Sequence, residues 1–468
     1  MNQLLAMKFG GTSVGSAERM KVACELIAAE ARKRPVFAVV SAMSKITDLL
    51  LDTTKFAEAD DQSAMDTSLE LLETRHFDVV RELLPPTERL RVHEAIEAIV
   101  AEFRRIVGGI QMLGYRPPRA VDEAIAVGER LAALLVSEYL KVSGVQSVAI
   151  NASEILVTDA VFGNASPLMR ETREKCVARL IPLLEKGVVP VITGFNGATA
   201  DGRATTLGRG GSDFSAAILA AVLDASELWI WTDVDGIMTA DPRLVPGAKI
   251  LDEITYSEAA ELAYAGAKVL HPRTLAPLVD KKIPVWSKNS FSPDKLGTRI
   301  VSELGAGNSG ARAVTSMANV ALVSLEPVNT GVGGVHIMAR ALEALDGANI
   351  EVLALSSSSY RQSFCFLVRK EELDHATQAI ESALALELAH GYVRGIEIDQ
   401  NVGLLAVVGE GMRGFSGLAG RIFTAISREK VNIIAIAQGS SELTISIVVR
   451  RDGLEKAVRA VHTECHLA

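Results

Sequence analysis

The chain has 468 residues, of which 49% are hydrophobic and 22% charged, and this composition predicts two or three folded domains with large cores. Its net charge is −9 and no block of Lys or Arg stands out, which argues against a surface for nucleic acid or anionic membrane. Four scattered cysteines and the lack of an evident targeting or membrane-spanning segment predict a cytoplasmic protein that binds small molecules and other protein chains.

The first signal in chain order is a glycine turn near the N-terminus. Residues 8–13, Lys-Phe-Gly-Gly-Thr-Ser, follow a short apolar run and precede a helical pattern. Two glycines let backbone N–H groups approach phosphate oxygens, and the lysine adds a mobile positive charge. The same pattern also fits an ordinary strand-to-helix turn that needs glycine for steric reasons.

Apolar strands alternate with helical patterns through the first two thirds of the chain. Runs at 35–40, 188–193 and 228–232 predict a mostly parallel sheet covered by helices on both faces, a three-layer α/β/α sandwich. Between Asp48 and Gly114 a charged, helical stretch broken at Pro85 is predicted to be a solvated insertion.

Several polar residues lie between these strands. Ser41 and Thr47 follow the second strand and are expected either to bind a ligand or to cap a helix. Glu129 begins an apolar helical pattern, so it either supports the helix dipole or presents a buried carboxylate to a cation such as a substrate ammonium group.

A second glycine-rich loop occupies residues 205–213, Thr-Thr-Leu-Gly-Arg-Gly-Gly-Ser-Asp. Ser212 or Asp213 is predicted to cap the apolar helix that follows, which leaves N-terminal amides for an anion. Arg209 offers a planar fork for a carboxylate, and an arginine embedded in glycines favours that role over an ordinary capped helix.

Two further segments carry candidate side chains. Thr232 and Asp233 follow a strand at the point where open α/β sheets bind ligands, although Asp235-Gly236 also makes a turn. Lys268 lies amid small and apolar residues, and an isolated lysine usually extends to solvent. His271, before a proline, is predicted to be structural.

The C-terminal third contains a repeat. Composition becomes small and flexible near 303–310, which indicates a linker. Beyond it, the strand-turn-strand pattern opened by Asn349 recurs at Asn432, with a helical pattern before and after each strand pair. The repeat predicts two βαββαβ modules.

Taken together, these motifs resemble the signatures of the aspartate kinase family, in the same order and over nearly the whole chain. They are the turn at Lys8, the loop around Arg209, Trp-Thr-Asp-Val-Asp-Gly from Trp231 and Gly-Ala-Lys-Val-Leu-His-Pro from Gly266. The resemblance implies the amino-acid kinase fold followed by two ACT modules, with a catalytic domain at 1–305, a linker at 306–315 and modules at 316–395 and 396–468.

The resemblance also implies an activity, transfer of the ATP γ-phosphoryl group to the β-carboxylate of L-aspartate. The product would be 4-phospho-L-aspartate, at the start of lysine, threonine and methionine synthesis. An acceptor carboxylate is already ionised at neutral pH, so cations and glycine amides, not a general base, should dominate the site. ATP with Mg²⁺ held mainly by the phosphates is expected, with no metal held by protein side chains alone.

Roles follow from the resemblance residue by residue. The expected catalytic residues are Lys8, Asp213 and Lys268. The expected ATP site comprises Lys8, Gly10, Gly11, Thr232, Asp233, Met238, Arg243, Lys268 and Val269, with the amides of Gly10 and Gly11 facing the transferred phosphoryl group. The expected aspartate site comprises Ser41, Thr47, Glu129, Arg209, Gly210, Gly211 and Ser212.

The chain departs from the family pattern at two positions. Met238 stands where many relatives have tyrosine. Gln438, with Asn432 and Ile433, forms the expected site for a threonine or lysine effector, but Leu355 takes the equivalent place in the first repeat and cannot hydrogen-bond an effector. Feedback through the first module is therefore expected to be lost or altered.

Two other properties are expected. The modules should pair chains into a homodimer or larger even oligomer, and no dehydrogenase domain follows the repeats, as in monofunctional relatives. Two other functions stay open, namely a kinase of the same fold that acts on glutamate, acetylglutamate or carbamate, and a non-catalytic amino-acid sensor.

Overall fold

The computed structural model describes residues 3–267, 269–305, 310–328, 333–359 and 362–467. These residues form two compact units. The first contains the chain up to Ile237 together with Asp252–Tyr256 and Leu270–Ser302. The second contains Met238–Leu251, Ser257–Val269 and the chain from Glu303 onward.

The first unit contains eleven named strands among its described residues. They are β1 (Leu5–Phe9), β2 (Val36–Val40), β3 (Ser147–Ile150), β4 (Val157–Thr158), β5 (Val189–Thr193), β6 (Asn196–Thr199), β7 (Ala204–Thr206), β8 (Glu227–Thr232), β9 (Glu253–Thr255), β10 (Val285–Asn289) and β11 (Thr298–Val301).

Its helices surround these strands. They are α1 (Ala17–Ala31), α2 (Ile46–Glu58), α3 (Gln62–Leu83), α4 (Pro86–Leu113), α5 (Pro118–Ile125), α6 (Val127–Val142), α7 (Met169–Glu185), α8 (Gly211–Val222) and α10 (Pro272–Val279). Between α8 and α10 in the chain lies α9 (Tyr256–Tyr264), of which only Tyr256 belongs to the first unit.

The main sheet of the first unit has the strand order β3-β5-β2-β1-β8-β10-β11-β9, and only the β10–β11 pair is antiparallel. Met7 and Phe9 on β1 face the core cluster built with α1–α6, while Lys8 between them faces α8. Because successive side chains of a strand point to opposite faces, helices cover both sides of the sheet. The predicted parallel α/β/α architecture is confirmed.

The charged stretch at 48–114 is a buried part of this unit. In α4 the apolar residues recur every three or four positions, at Val92, Ile96, Val100, Phe103 and Val107, and all of them are buried in the main core. The expectation of a merely solvated insertion is wrong, since one helical face is apolar while the others carry the charge.

The second unit is built on one antiparallel sheet with the strand order β13-β14-β12-β15-β17-β16. The strands are β12 (Ala313–Pro327), β13 (Ala354–Ser357), β14 (Phe364–Arg369), β15 (Val393–Val408), β16 (Ile433–Gln438) and β17 (Thr444–Arg450). The helices after α10 are α11 (Gly334–Gly347), α12 (Leu373–Ala383), α13 (Ala385–Ala389), α14 (Leu418–Arg428) and α15 (Leu454–Glu464).

The predicted strand pairs of the two repeats are confirmed as β13–β14 and β16–β17. The long strands β12 and β15 run through both repeats, because Val323 packs in the core with α11 and α12 while Val314 packs in the core with α14 and α15. Ala313 pairs with Val408, so the expected linker at 306–315 ends inside β12, and residues 306–309 lie outside the described residues.

No helix in the described part of the chain carries an apolar stretch long enough to cross a lipid bilayer.

Candidate active site

The glycine turn follows β1, which lies in the middle of the sheet between β2 and β8. A Cβ atom on Gly11 would lie 2.9 Å from the carbonyl oxygen of Ala42, closer than side chains pack, so only glycine fits there without a shift of the backbone. The Gly10 N–H donates to the carbonyl oxygen of Trp231 at 3.1 Å.

This bond corrects one expectation about the turn. The Gly10 amide extends the β1–β8 pairing by one residue and is therefore not available to a phosphoryl group. Within the described residues, no hydrogen bond uses the N–H of Gly11 or of Thr12, and these two groups remain as amide donors of the turn.

Lys8 is 8% exposed, and its Nζ atom lies 2.5 Å from Oδ1 of Asp213. Asp213 is in the first turn of α8, so the pair connects the central strand to the helix on that face of the sheet. A buried ammonium group is stable only when an anion is close by. The pair therefore holds a positive charge at the glycine turn.

The loop at 208–210 leads into α8 through left-handed backbone. Gly208 and Gly210 have φ values of 75° and 69°, and Gly210 is the N-cap residue, with no side-chain capping bond. The predicted cap by Ser212 or Asp213 is wrong, since both lie inside the first turn of the helix. Arg209 between the two glycines is exposed.

Close packing fixes the start of α8 against the sheet. A Cβ on Gly194, just after β5, would lie 2.8 Å from Cβ of Ser212, and one on Gly211 would lie 2.7 Å from the ring of Phe195. The N-terminal amides of α8 consequently sit at the carboxyl end of the sheet, where a helix dipole favours an anion.

Glu129, in the first turn of α6, is 2% exposed. Its Oε1 atom accepts the Ala42 N–H at 3.1 Å, and its Oε2 atom has no partner among the described residues. Burial raises the pKa of the Glu129 carboxyl to about 7, while the Ala42 N–H and the charge of Lys8 oppose that rise. A buried carboxylate oxygen without a partner suits a cationic ligand group.

Ser41 and Thr47 lie at the same edge of the sheet as the glycine turn. The Ser41 N–H donates to the carbonyl oxygen of Phe9 at 3.1 Å, immediately after β2. Thr47 is the second residue of α2, whose N-cap, Lys45, has a left-handed φ of 67°. Both predicted residues are half-buried.

Thr232 is the last residue of β8, beside the glycine turn, and Asp233 follows it. The carbonyl oxygen of Thr232 accepts the Ser290 N–H at 2.9 Å, and Asp233 is exposed. Asp235 is held by Asn289 and Lys295, each at 2.6 Å, and these bonds hold the loop after β8 against the end of β10.

The remaining predicted residues belong to the second unit or lie outside the described residues. Lys268 is among the latter. Met238 forms an isolated bridge with Ile250, Arg243 pairs with Asp241 at 2.6 Å, and Val269 is half-buried. The expected effector residues Asn432, Ile433 and Gln438 lie at and along β16, with Gln438 exposed.

His271 is the N-cap residue of α10, where its Nδ1 atom accepts the Arg273 N–H at 3.2 Å. The structural role predicted for His271 is thereby confirmed. A Cβ on Gly210 would lie 3.3 Å from that of His271, so this cap also supports the glycine-rich loop.

Sequence reasoning missed Asp122 and Arg273, which hold the loop that carries Arg209. Asp122 is 2% exposed and accepts both the N–H and the hydroxyl of Thr206, and also the N–H of Gly163. Burial raises the pKa of Asp122, and these hydrogen bonds oppose the rise. Arg273 donates to the carbonyl oxygen of Leu207 at 3.1 Å. Neither residue lies in a sequence motif that would predict its role in holding this loop.

Comparisons with known proteins place this architecture in a family. Residues 3–289 match the model of the amino acid kinase family, and residues 331–384 and 405–465 match that of an ACT domain. The chain belongs to the amino acid kinase family. Over nearly its whole length it is homologous to aspartokinases, which confirms the resemblance found in its sequence.

Two curated relatives illustrate the similarity. The lysine-sensitive aspartokinase 3 of Escherichia coli is 31% identical over 99% of each chain. The bifunctional aspartokinase/homoserine dehydrogenase 1 of Arabidopsis thaliana is 33% identical over 98% of this chain and 51% of its own length. The chain thus spans about half the length of the bifunctional relatives that it matches.

Solved structures of related proteins have the same fold. E. coli aspartokinase III in complex with aspartate and ADP, in the R-state, superposes with a TM-score of 0.83 at 30% identity, covering 99% of this chain and 100% of that one. The same enzyme with lysine and aspartate, in the T-state, gives a TM-score of 0.80 at the same identity and coverage. The aspartate kinase of Clostridium acetobutylicum gives 0.76 at 27% identity over all of both chains.

Proposed function

We propose that this chain is an aspartate kinase, which transfers the γ-phosphoryl group of ATP to the β-carboxylate of L-aspartate and yields 4-phospho-L-aspartate. This is the first step in the synthesis of lysine, threonine and methionine. The observation that carries the proposal is the buried Glu129 carboxylate, which has an oxygen without a partner among the described residues and lies close enough to the Lys8 ammonium group for that charge to oppose the rise of its pKa. The two charges suit a substrate with an ammonium group and a phosphoryl-accepting carboxylate.

Binding of aspartate is assigned to the elements around Glu129. The Oε2 atom of Glu129 receives the α-ammonium group, and Arg209, on its glycine-flanked loop, pairs with the α-carboxylate as a planar fork. Ser41, Thr47 and the start of α8 orient the rest of the substrate. The set consists of Ser41, Thr47, Glu129, Arg209, Gly210, Gly211 and Ser212.

Transfer itself requires stabilisation of charge more than proton transfer. The aspartate carboxylate is ionised at neutral pH and attacks without a general base, but two anions must be brought together. Lys8 and the Gly11 N–H are proposed to stabilise the charge on the phosphoryl oxygens, and the ion pair with Asp213 supports a fixed orientation of Lys8. Their interaction strengthens as charge develops in the transition state.

The nucleotide is assigned to the set that the resemblance to aspartate kinases implies, namely Thr232, Asp233, Met238, Arg243, Lys268 and Val269. Within this set, Lys268 is proposed to support the phosphates. Mg²⁺ would be held mainly by the ATP phosphates and would neutralise part of their charge.

Regulation and assembly are proposed from the second unit. A lysine or threonine effector is proposed to bind through β16, with Gln438 as the hydrogen-bonding side chain and Asn432 and Ile433 beside it. Edge strands β13 and β16 expose Leu355 and Ile436, which supports pairing of chains into a homodimer or larger even oligomer. A cytoplasmic location is proposed with this function.

Release of ADP, measured with a coupled assay, tests the proposal. Mg-ATP with L-aspartate should give steady turnover, while L-glutamate, acetylglutamate and carbamate should not. Turnover with one of those substrates would assign another kinase of the same fold, and nucleotide binding without turnover would favour a sensor. Glu129→Gln should weaken aspartate binding more than ATP binding.

A further inference from the structure

We propose that Ser13 and Ser290 form a buried hydroxyl pair that positions the glycine turn against the nucleotide loop, defined as residues 233–236 directly after β8. Both serines would then act as positioning residues for phosphoryl transfer. Ser13 is the last residue of the glycine turn and Ser290 follows β10. They are 1% and 2% exposed, and their Oγ atoms lie 2.8 Å apart although 277 positions separate them in the chain.

The pair connects the carboxyl ends of three neighbouring strands. Ser13 Oγ lies 3.3 Å from the carbonyl oxygen of Trp231, and Ser290 Oγ lies 3.1 Å from that of Thr232. The Ser290 N–H also donates to Thr232 at 2.9 Å. Both hydroxyl groups therefore bridge over the end of β8, one from the β1 side and one from the β10 side.

Counting protons shows that the hydroxyl groups act as a unit. One oxygen–oxygen contact joins the two serines to each other and two more join them to carbonyl groups, but two hydroxyl groups supply only two protons for these three contacts. Whichever serine donates to the other, the second must donate to a carbonyl oxygen of β8. Removal of either hydroxyl thus leaves the other with fewer partners in a water-excluded place.

The position of the pair determines what it aligns. Ser13 N–H donates to the carbonyl oxygen of Gly10 at 2.9 Å and closes the turn that presents Gly11, while Thr232 leads directly to Asp233. A neighbouring contact reinforces the same connection, since Asn289 Nδ2 donates to Asp235 Oδ1 at 2.6 Å. Lys8 and the Gly11 N–H are the groups proposed to contact the phosphoryl oxygens. The pair therefore sets the distance between these two groups and the nucleotide loop.

Aspartate binding should depend less on this pair than nucleotide binding does. Glu129 and the Arg209 loop are positioned by Ala42, Asp122 and Arg273, none of which contacts either serine in the bonds described above. Loss of the pair is consequently predicted to affect nucleotide affinity and turnover more than the KM for aspartate.

Ser290→Ala is the main test, because its backbone N–H can still hold Thr232. We expect kcat/KM for ATP to fall by about tenfold to a hundredfold, since small displacements of reacting groups have effects of this size. Mg-ADP binding, measured by calorimetry, should weaken about tenfold, and the double variant Ser13→Ala/Ser290→Ala should be no worse than the single ones. The kinetic readout rests on the proposed function, whereas Mg-ADP binding does not.

The chain supplies a matched control in a second buried serine pair. Ser147 Oγ donates to Ser137 Oγ at 3.1 Å, and it also lies 3.0 Å from the carbonyl oxygen of Val189. Ser147 and Val189 are the first residues of β3 and β5, so this pair lies at the amino end of the strands. Ser147→Ala should lower the Tm but leave the KM and kcat unchanged. Equal kinetic effects of Ser147→Ala and Ser290→Ala, or unchanged ATP kinetics and Mg-ADP affinity in Ser290→Ala, would overturn the proposal.

Discussion

Lys8 Nζ on the central strand lies 2.5 Å from Asp213 Oδ1 in the first turn of α8, and this ion pair between a buried lysine and a half-buried aspartate connects the glycine turn to that helix. Lys8→Ala leaves the Asp213 carboxylate without its cation. We expect kcat to fall by about a hundredfold to a thousandfold and the free energy of unfolding to fall by about 3 kcal/mol. Steady-state kinetics and denaturant unfolding measure the two effects.

An exposed ion pair provides the control for the stability effect. Lys281 Nζ lies 2.6 Å from Asp224 Oδ1, and both side chains are about half exposed. Lys281→Ala should change the free energy of unfolding by less than about 1 kcal/mol and leave kcat unchanged. Equal losses of stability in the two variants would contradict the assignment of Lys8 to a buried pair.

Glu129 should make aspartate binding depend on pH. Burial raises its pKa to about 7, so the free protein loses the negative charge at this site as the pH falls below about 7. A bound ammonium group favours the ionised form, so the affinity for aspartate should rise with pH and level off above about 7. Glu129→Gln should bind weakly at every pH, and a sloping profile in that variant would assign the pH dependence to another group.

The same residue predicts the direction of a stability change. The pKa of Glu129 is higher in the folded chain than the value near 4.3 of an exposed glutamate, so the folded state binds more protons between these values. The contribution of Glu129 to the free energy of unfolding is full below about pH 4 and is lost as the pH rises through about 7. Glu129→Gln should remove this component, as unfolding midpoints measured across that range would reveal.

Gly11→Ala should impair catalysis through the backbone. The added Cβ would lie 2.9 Å from the carbonyl oxygen of Ala42, whose N–H binds Glu129, so the turn and the carboxylate would both shift. We expect kcat/KM to fall by at least about tenfold. As a control, the Cβ added by Gly109→Ala in α4 meets no neighbouring atom of the described residues within 4 Å, and this variant should stabilise the helix by about 1 kcal/mol with normal kinetics.

The strand register corrects the expected counterpart of Gln438 in the first repeat. Gln438 pairs with Ile445 on β17 as Ser357 pairs with Phe364 on β14, whereas Leu355 pairs with Phe366 as Ile436 pairs with Ile447, so the expectation that Leu355 takes the place of Gln438 is wrong. A serine hydroxyl is shorter than a glutamine amide and makes fewer hydrogen bonds, so lysine or threonine should bind more weakly to the first repeat, Gln438→Leu should remove most of the inhibition, and Ser357→Gln should strengthen it. Calorimetry that finds tight binding at two sites in the unaltered chain would refute this prediction.

The sequence predicted what depends on local pattern. The turn at Lys8 and the loop around Arg209 carry their glycines in the sequence, and apolar runs such as 189–193 identify the parallel strands. The predicted cap of α8 is wrong because Ser212 and Asp213 have side chains that often cap helices. The N-cap is instead Gly210, whose backbone is left-handed, and the helix begins at Gly211.

Other features depend on contacts between distant segments and left no local signal. The Gly10 N–H donates to the Trp231 carbonyl oxygen because β8 pairs with β1. Asp122 accepts the hydroxyl of Thr206, which lies 84 positions away in the chain. The hydroxyl pair of Ser13 and Ser290 has the same origin. The sequence carries one indication of this pair, because the polar run Ser287-Lys288-Asn289-Ser290 follows the apolar residues that begin β10.

The most direct test of the central claim is detection of the acyl phosphate itself. Hydroxylamine added to the chain with Mg-ATP and L-aspartate should trap 4-phospho-L-aspartate as a hydroxamate, with about one hydroxamate formed per ADP released. Lys8→Ala should reduce both products together. ADP release without any hydroxamate, or no reaction with aspartate at all, would contradict the assignment of this chain as an aspartate kinase.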